Sequence, residues 1–284
     1  MIIDGKQLSK EIKAEIKQRV EGLKQKYNEV PTLAIILVGN DPASETYVKN
    51  KDKAINFVGM EARVIHLEED TKEEKVLSII DELNKDDKIN GILIQLPLPK
   101  HINTNKVINR VKATKDVDGL TEINTGRLAL GAEAVVPCTP AGVIKLIEST
   151  GETIEGKHAV IIGRSILVGK PVAQLLLQKN ATVTMCHSKT KDLKSITSQA
   201  DILVVAIGNA KFIKEDMVKE GAIVIDVGIN RVDGKVVGDV DFDNVSAKAS
   251  HITPVPGGCG PMTITMLIEN TIKCYLMQKE NGEK

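Results

Sequence analysis

Residues 158–177 read HAVIIGRSILVGKPVAQLLL, and the fold of the chain follows from how this stretch is parsed. The apolar run 158–162 is rich in β-branched side chains, which suit a strand buried on both faces. Gly163 breaks it. Beyond Val168 the apolar residues Val172, Leu175 and Leu176 recur at helical spacing, and Pro171 stands near the helix start, where a missing N–H leaves no bond unmade. The stretch reads strand, tight turn, helix.

Such a turn aims backbone N–H groups and the positive end of a helix dipole at one point, where doubly wound folds bind a dinucleotide pyrophosphate. In place of G-x-G-x-x-G the chain has Gly163-Arg164-Ser165-Ile166-Leu167-Val168-Gly169, with Ser165 where the second glycine would stand. An ordinary βα turn, with glycines for tight packing, is an equal reading of this motif alone. The next strand, 181–185, ends near the expected adenosine ribose, where NAD enzymes place an acid. Here it runs into Cys186-His187-Ser188-Lys189-Thr190-Lys191, and no carboxylate arrives before Asp192. A hydroxyl and cations there, with Arg164 in the turn, favour NADP over NAD because they can pair with a 2′-phosphate. Taken singly, Lys189 and Lys191 read as solvated loop lysines.

Further on the alternation persists. Helix 169–179 and strand 181–185 are followed by a helical stretch after Asp192, strand 201–206, a short helix before Gly221 and strand 222–227, the last clear one. That pattern predicts a parallel sheet wound by helices. Residues 253–263, TPVPGGCGPMT, are too rich in proline and glycine for a regular element. A final helix over 263–278 has its own apolar face.

Upstream, residues 6–27 place Leu8, Ile12, Ile16, Val20 and Leu23 on one helical face. Strand 32–38 follows, then a turn, and Ser44 is a plausible N-cap for a helix through Tyr47, Lys51 and Ile55 that stops at Gly59. Strand 61–67 precedes Thr71-Lys72-Glu73-Glu74, which has the form of a capping box. Strand 91–96 delivers Gln95 to its end, and Thr139-Pro140 caps a helix through Glu148. The expected division is a first domain over 1–138, with helix 262–284 returning to it, and a Rossmann-like domain over 139–261.

Composition narrows the function. The 38 basic and 38 acidic side chains cancel and no basic run is interleaved with aromatics, so charge points to no nucleic acid. There is no apolar run of the roughly eighteen residues a membrane span needs, and Met1-Ile2-Ile3 passes at once into a charged helix rather than a leader. A soluble cytoplasmic protein is expected. Cys138, Cys186, Cys259 and Cys274 are scattered without a C-x-x-C pair, which predicts reduced thiols. No two histidines are three or four apart, so no metal is expected.

Tyr47 and Lys51 share one face of the second helix. A tyrosine can stack on a flat heterocycle, and a lysine beside it can move a proton if burial or a cation lowers its pKa. A solvated helix lysine has the same spacing. Gln95 could equally be a solvated loop residue, and Asp116 and Asp118 could be turn formers.

Six motifs taken together are more specific. Tyr47-Val48-Lys49-Asn50-Lys51, Gln95-Leu96-Pro97-Leu98-Pro99, Lys115-Asp116-Val117-Asp118-Gly119, Pro137-Cys138-Thr139-Pro140, the turn at 163–171 and the stretch 254–263 occur in that order. Together they resemble the bifunctional methylenetetrahydrofolate dehydrogenase/methenyltetrahydrofolate cyclohydrolase family, nearly end to end. The resemblance implies two α/β domains flanking a cleft, the first holding folate and the second NADP, in a homodimer that serves one-carbon metabolism and purine biosynthesis. It implies that Tyr47 stacks on the folate, Lys51 is the catalytic lysine, Gln95 hydrogen-bonds that lysine and Asp118 holds the pterin edge. Leu96, Pro256, Gly257, Gly258 and Gly260 would complete the folate site, and Gly163, Arg164, Ser165, Ser188 and Ile229 would contact NADP. Cys259 departs from the family pattern, which has valine in Pro-Gly-Gly-Val-Gly-Pro; a small, mostly apolar thiol is a mild replacement. Two rival readings are another NADP-linked dehydrogenase acting on a small carbonyl or amino acid, and a non-catalytic dinucleotide-binding protein. Neither needs Tyr47, Lys51 and Asp118 together.

Overall fold

The computed structural model describes residues 1–280. Two compact units are present, one made of Met1–Lys10 with Pro137–Met266, the other of Glu11–Val136 with the chain from Leu267 on. Of the three boundaries, one falls within α1 (Gly5–Tyr27) and one within the C-terminal helix, while the third, between Val136 and Pro137, lies outside any helix.

The unit that begins in α1 carries β1 (Thr32–Val38), α2 (Pro42–Phe57), β2 (Glu61–Leu67), α3 (Glu73–Lys85), β3 (Gly91–Ile94), α4 (Thr104–Ile108) and α5 (Glu122–Ala129). Its three strands are parallel in the order β2-β1-β3. The central strand, TLAIILV, is almost wholly buried. Its even residues Ala34, Ile36 and Val38 pack against Val76, Ile79, Ile80 and Leu83 of α3, and each such side chain removed from water contributes roughly 1.5–3 kcal/mol. Strand β2 lies at the edge and is mostly exposed.

In the other unit α6 (Cys138–Glu148), β4 (His158–Ile162), α7 (Gly169–Gln178), β5 (Thr182–Cys186), α8 (Leu193–Thr197), β6 (Ile202–Val205) and β7 (Ile223–Asp226) alternate. A hairpin of β8 (Asn230–Val232) and β9 (Lys235–Val237) follows, then α9 (Phe242–Val245), β10 (His251–Ile252) and α10 (Cys259–Glu280). The sheet is parallel with order β10-β7-β6-β4-β5, the doubly wound plan expected from residues 158–227. Ile3 extends it, donating to Ile252 O at 2.8 Å.

Several local expectations give way to better-placed partners. Asp41, not Ser44, caps α2: its carboxylate accepts from Ser44 N at 2.8 Å, and Pro42 occupies the first turn, which leaves Ser44 buried inside the helix. Thr71 makes no capping box. Lys72 is the N-cap of α3 and offers no side-chain bond, and Glu73 in the first turn accepts from Asn103 N at 2.7 Å and pairs with Lys106. Helix α6 starts one residue before Thr139, whose hydroxyl lies 3.0 Å from that of Thr263. Its N-cap is Pro137. Helix α10 begins at Cys259, inside the Gly/Pro stretch, since glycine and proline are tolerated in a first turn whose N–H groups have no intrahelical partner. The strand at 222–227 is not the last: β8, β9 and β10 come after it.

Candidate functional site

Within the three-stranded unit, the β1–α2 connection and the end of β3 bring Lys51 and Gln95 together. Lys51, half-buried on α2, donates from Nζ to Gln95 Oε1 at 3.0 Å. Gln95 is only 8% exposed, and both its ends are fixed: its backbone N–H donates to Ile36 O at 2.9 Å and its Nε2 to Leu96 O at 2.8 Å. The Leu96–Pro97 peptide is cis. One turn before Lys51, Tyr47 is 45% exposed, so a ring face is open to a ligand.

The 115–119 loop is fastened from three sides. Lys115 is buried and its Nζ donates to Leu83 O at 2.9 Å and Asp86 O at 2.8 Å, tying the loop to the C-terminal end of α3. Asp116 is a turn former: its carboxylate accepts from Leu120 N, Thr121 N, the Thr121 hydroxyl and Asn124 Nδ2 at 2.7–3.2 Å. From α10, Asn270 Nδ2 donates to Val117 O at 2.8 Å and Gln278 Nε2 to Thr114 O at 3.0 Å. Asp118 is half-buried on this fastened loop and lines a small recess with Ile92, Ile94 and Leu120.

In the five-stranded unit the turn after β4 is built without side-chain bulk. Gly163 has φ +119, and a Cβ there would lie 2.3 Å from Ala206 O. Only glycine fits. The Ser165 hydroxyl accepts from Val168 N at 3.1 Å and Gly169 N at 3.4 Å, so this side chain takes two N–H groups that the sequence suggested would face a ligand. Arg164 and Ser188 are exposed, and Ile229 is 55% exposed. The loop carrying Ser188 is held by His187 N donating to Thr190 Oγ1 at 2.9 Å and Lys189 N donating to His187 Nδ1 at 3.2 Å. Ser188 sits at the end of β5, where no carboxylate stands.

Pro256 follows a cis bond and is exposed, Gly257 and Gly258 lead into α10, and Gly260 lies open in its first turn. Cys259 is buried, and its thiol donates to Asp226 O at 3.3 Å. Burial and the nearby Asp226 carboxylate push that thiol up from the usual range.

Two buried carboxylates escaped the sequence reading. Asp226 ends β7 and accepts from Gly228 N, Asp239 N and Val240 N at 2.9–3.0 Å. Burial, with a smaller push from Asp239, still raises it to about 6. Asp239 accepts from Ile207, Gly208 and Asn209 N and from Asn230 Nδ2 at 2.8–2.9 Å. An aspartate next to a glycine in Gly238-Asp239 reads as a turn, so only the structure separates it from solvent. Among the described residues no three His, Cys, Asp or Glu side chains group as a metal site, and no helix is long and apolar enough to cross a membrane.

Against known proteins the chain matches two family models: the tetrahydrofolate dehydrogenase/cyclohydrolase catalytic domain over residues 3–118 and the NAD(P)-binding domain of the same family over 137–279. It is 57% identical over 273 residues to the bifunctional protein FolD of Listeria innocua, covering 96% of each chain. The crystal structure of the bifunctional FolD methylenetetrahydrofolate dehydrogenase/cyclohydrolase of Campylobacter jejuni superposes with a TM-score of 0.96 at 52% identity, over 98% of this chain and 99% of that one. That of the Trypanosoma brucei enzyme, complexed with NADP cofactor and inhibitor, gives 0.94 at 36% identity over 98% of each.

Proposed function

The chain belongs to the tetrahydrofolate dehydrogenase/cyclohydrolase family, and from that premise we propose how its residues share two reactions. The protein oxidises 5,10-methylenetetrahydrofolate to 5,10-methenyltetrahydrofolate with NADP and hydrolyses the product to 10-formyltetrahydrofolate. One observation carries this reading: both halves of the bifunctional family are matched, in order, in a single chain.

The oxidation needs position rather than a base, because the folate nitrogen lone pairs stabilise the cation left when hydride departs the methylene carbon. NADP, when bound, supplies the hydride acceptor. The Gly163 turn lies just past the end of β4, where a doubly wound sheet takes a pyrophosphate, and Arg164 and Ser188 provide a cation and a hydroxyl for a 2′-phosphate. Gly163, Arg164, Ser165, Ser188 and Ile229 are the proposed cofactor contacts.

The hydrolysis does need proton transfer. Water adds to the methenyl carbon, one C–N bond breaks, and a proton must leave the water and reach the departing nitrogen. Lys51 is the proposed carrier, held in direction by Gln95. Tyr47 stacks on the folate, and Asp118 accepts N–H bonds from the pterin edge. Leu96 and residues Pro256, Gly257, Gly258 and Gly260 complete the folate contacts.

The proposal includes a homodimer and a cytoplasmic setting. Support for the first comes from β2, whose edge is unpaired among the described strands and which carries the exposed Val64, the kind of edge that pairs with another chain. Support for the second is that all four cysteines are free thiols, as in a reducing compartment. Absorbance assays with methylenetetrahydrofolate and NADP, and separately with methenyltetrahydrofolate, test the function. Turnover in both is expected, and turnover in neither would overturn it.

A further inference from the structure

The buried carboxylate of Asp239 is used by neither reaction, yet its hydrogen bonds converge on the edge of the sheet where strands end. Its side chain is fully buried. Oδ2 accepts from Ile207 N at 2.8 Å and Gly208 N at 2.9 Å, and Oδ1 from Asn209 N at 2.8 Å and Asn230 Nδ2 at 2.9 Å. Three successive amides of the loop after β6 and the side chain of Asn230, where the loop after β7 runs into β8, are thus gathered on one anion. In a doubly wound sheet the dinucleotide lies outside the carboxyl ends of the strands, and these two loops leave those ends.

The fit is close enough to dictate a neighbouring residue. A Cβ on Gly228 would lie 2.2 Å from the Asp239 carboxyl carbon, so residue 228 must be glycine for the carboxylate to reach the loop. Asp239 is itself held through its backbone, whose N–H donates to Asp226 Oδ1 at 3.0 Å. The chain of contacts runs from the end of β7, through Asp226 and Asp239, into the exposed residues 208–209 and 229.

We propose that Asp239 is a positioning residue for the dinucleotide: by gathering the 207–209 amides and Asn230 it sets the two loops that border NADP. The proposal rests on the assignment of NADP to this unit. A carboxylate suits the task because four donors need four acceptor directions, which an ionised side chain offers and an amide does not. Asp239→Asn keeps the shape but turns an NH2 toward one pair of donors, so one side of the cradle must open.

The test is D239N, assayed for both activities, with the Kd for NADPH read from the fluorescence of its own ring. The KM for NADP and the Kd should rise about tenfold or more, the scale expected when binding groups shift by about an ångström. Dehydrogenase kcat should change less. Cyclohydrolase kcat/KM, which involves no dinucleotide, should fall by under about threefold. An unchanged KM for NADP overturns the proposal and leaves the cofactor assignment intact, because the wild-type titration reports that assignment separately. Equal losses in both activities also overturn it, since they mark a general structural role. If D239N fails to fold, N230A removes one of the four bonds and should raise the KM for NADP in the same direction by about threefold; no change in that variant overturns the proposal.

Discussion

Lys51 reaches Gln95 Oε1 at 3.0 Å while Gln95 Nε2 is committed to Leu96 O, so the glutamine presents an acceptor, and only an acceptor, to the lysine. An ammonium has three donors, and this arrangement uses one to aim the rest. Lys51→Met keeps the stem and removes the ionisable head. Cyclohydrolase activity should fall on the order of a hundredfold or more, the range for a lost proton-transfer group, while the dehydrogenase persists in part and methenyltetrahydrofolate accumulates. Parallel assays on folded variant decide it: full cyclohydrolase activity ends the proposal, and equal loss of both activities makes Lys51 a binding residue.

For the cofactor, Arg164 is the side chain proposed to tell NADP from NAD. A charge-assisted bond to a 2′-phosphate contributes roughly 1.5–3 kcal/mol, so Arg164→Ala should weaken NADP about tenfold or more and NAD much less. Titration of both dinucleotides measures this. Equal losses would remove Arg164 from the phosphate site.

Asp116 and Asp118 share one loop but are assigned different tasks. The Asp116 carboxylate is committed to Leu120, Thr121 and Asn124, and Asp118, half-buried on the same loop, is the one proposed to meet the pterin. Asp118→Ala should therefore weaken folate binding in both reactions and leave NADP binding alone. Unchanged folate affinity would return Asp118 to the turn.

Stability should depend on pH through Asp226. Burial raises its carboxyl from 3.8 to about 6, so folding favours the protonated form. Its contribution is fully present below the unfolded value and is lost as pH rises through about 6. The two-unit gap corresponds to about 3 kcal/mol. Denaturant unfolding of wild type and Asp226→Asn between pH 4 and pH 7 should show the wild type losing ground relative to the variant as pH rises. A constant difference would rule out the raised value.

The four thiols are buried, and burial raises Cys186, Cys259 and Cys274 from the ordinary thiol range. A thiolate reagent should label none of them in native protein and all of them after unfolding. Fast labelling of Cys259 in the native state would show that the first turn of α10 opens.

The sheet of the five-stranded unit was legible because 158–162, 201–206 and 222–227 are apolar runs long enough to read without tertiary information. Caps were not. Ser44, Thr71 and Thr139 are all good N-cap residues by type, but Asp41 with Pro42 takes the first place, and Glu73 finds Lys106, thirty-three residues away. The β8–β9 hairpin carries a visible signal, Asp233-Gly234, with positive φ at both residues, which its three-residue strands made easy to overlook. Strand β10 has two residues and no pattern to find. Lys51 and Gln95 were legible only as a family motif, since a bond between residues 44 apart leaves no trace in local spacing. Asp239 was illegible for the same reason: its carboxylate's partners come from two segments distant from it, 207–209 and Asn230.

The three-stranded unit is sewn shut by residues from the far end of the chain. Asn270 and Gln278 hold the loop at 114–118 and residue 90, and Tyr275 packs edge-on against Tyr27. On a ribosome, residues 11–136 emerge early but must wait for α10 before those bonds can form, so all of the other unit beyond its first ten residues, Pro137–Met266, is synthesised in the interval. Nascent chains stalled before residue 267 should expose this half to protease while the five-stranded half already resists. The order of completion is thus the reverse of the order of synthesis, and a premature stop late in the message would spoil the half that was translated earliest.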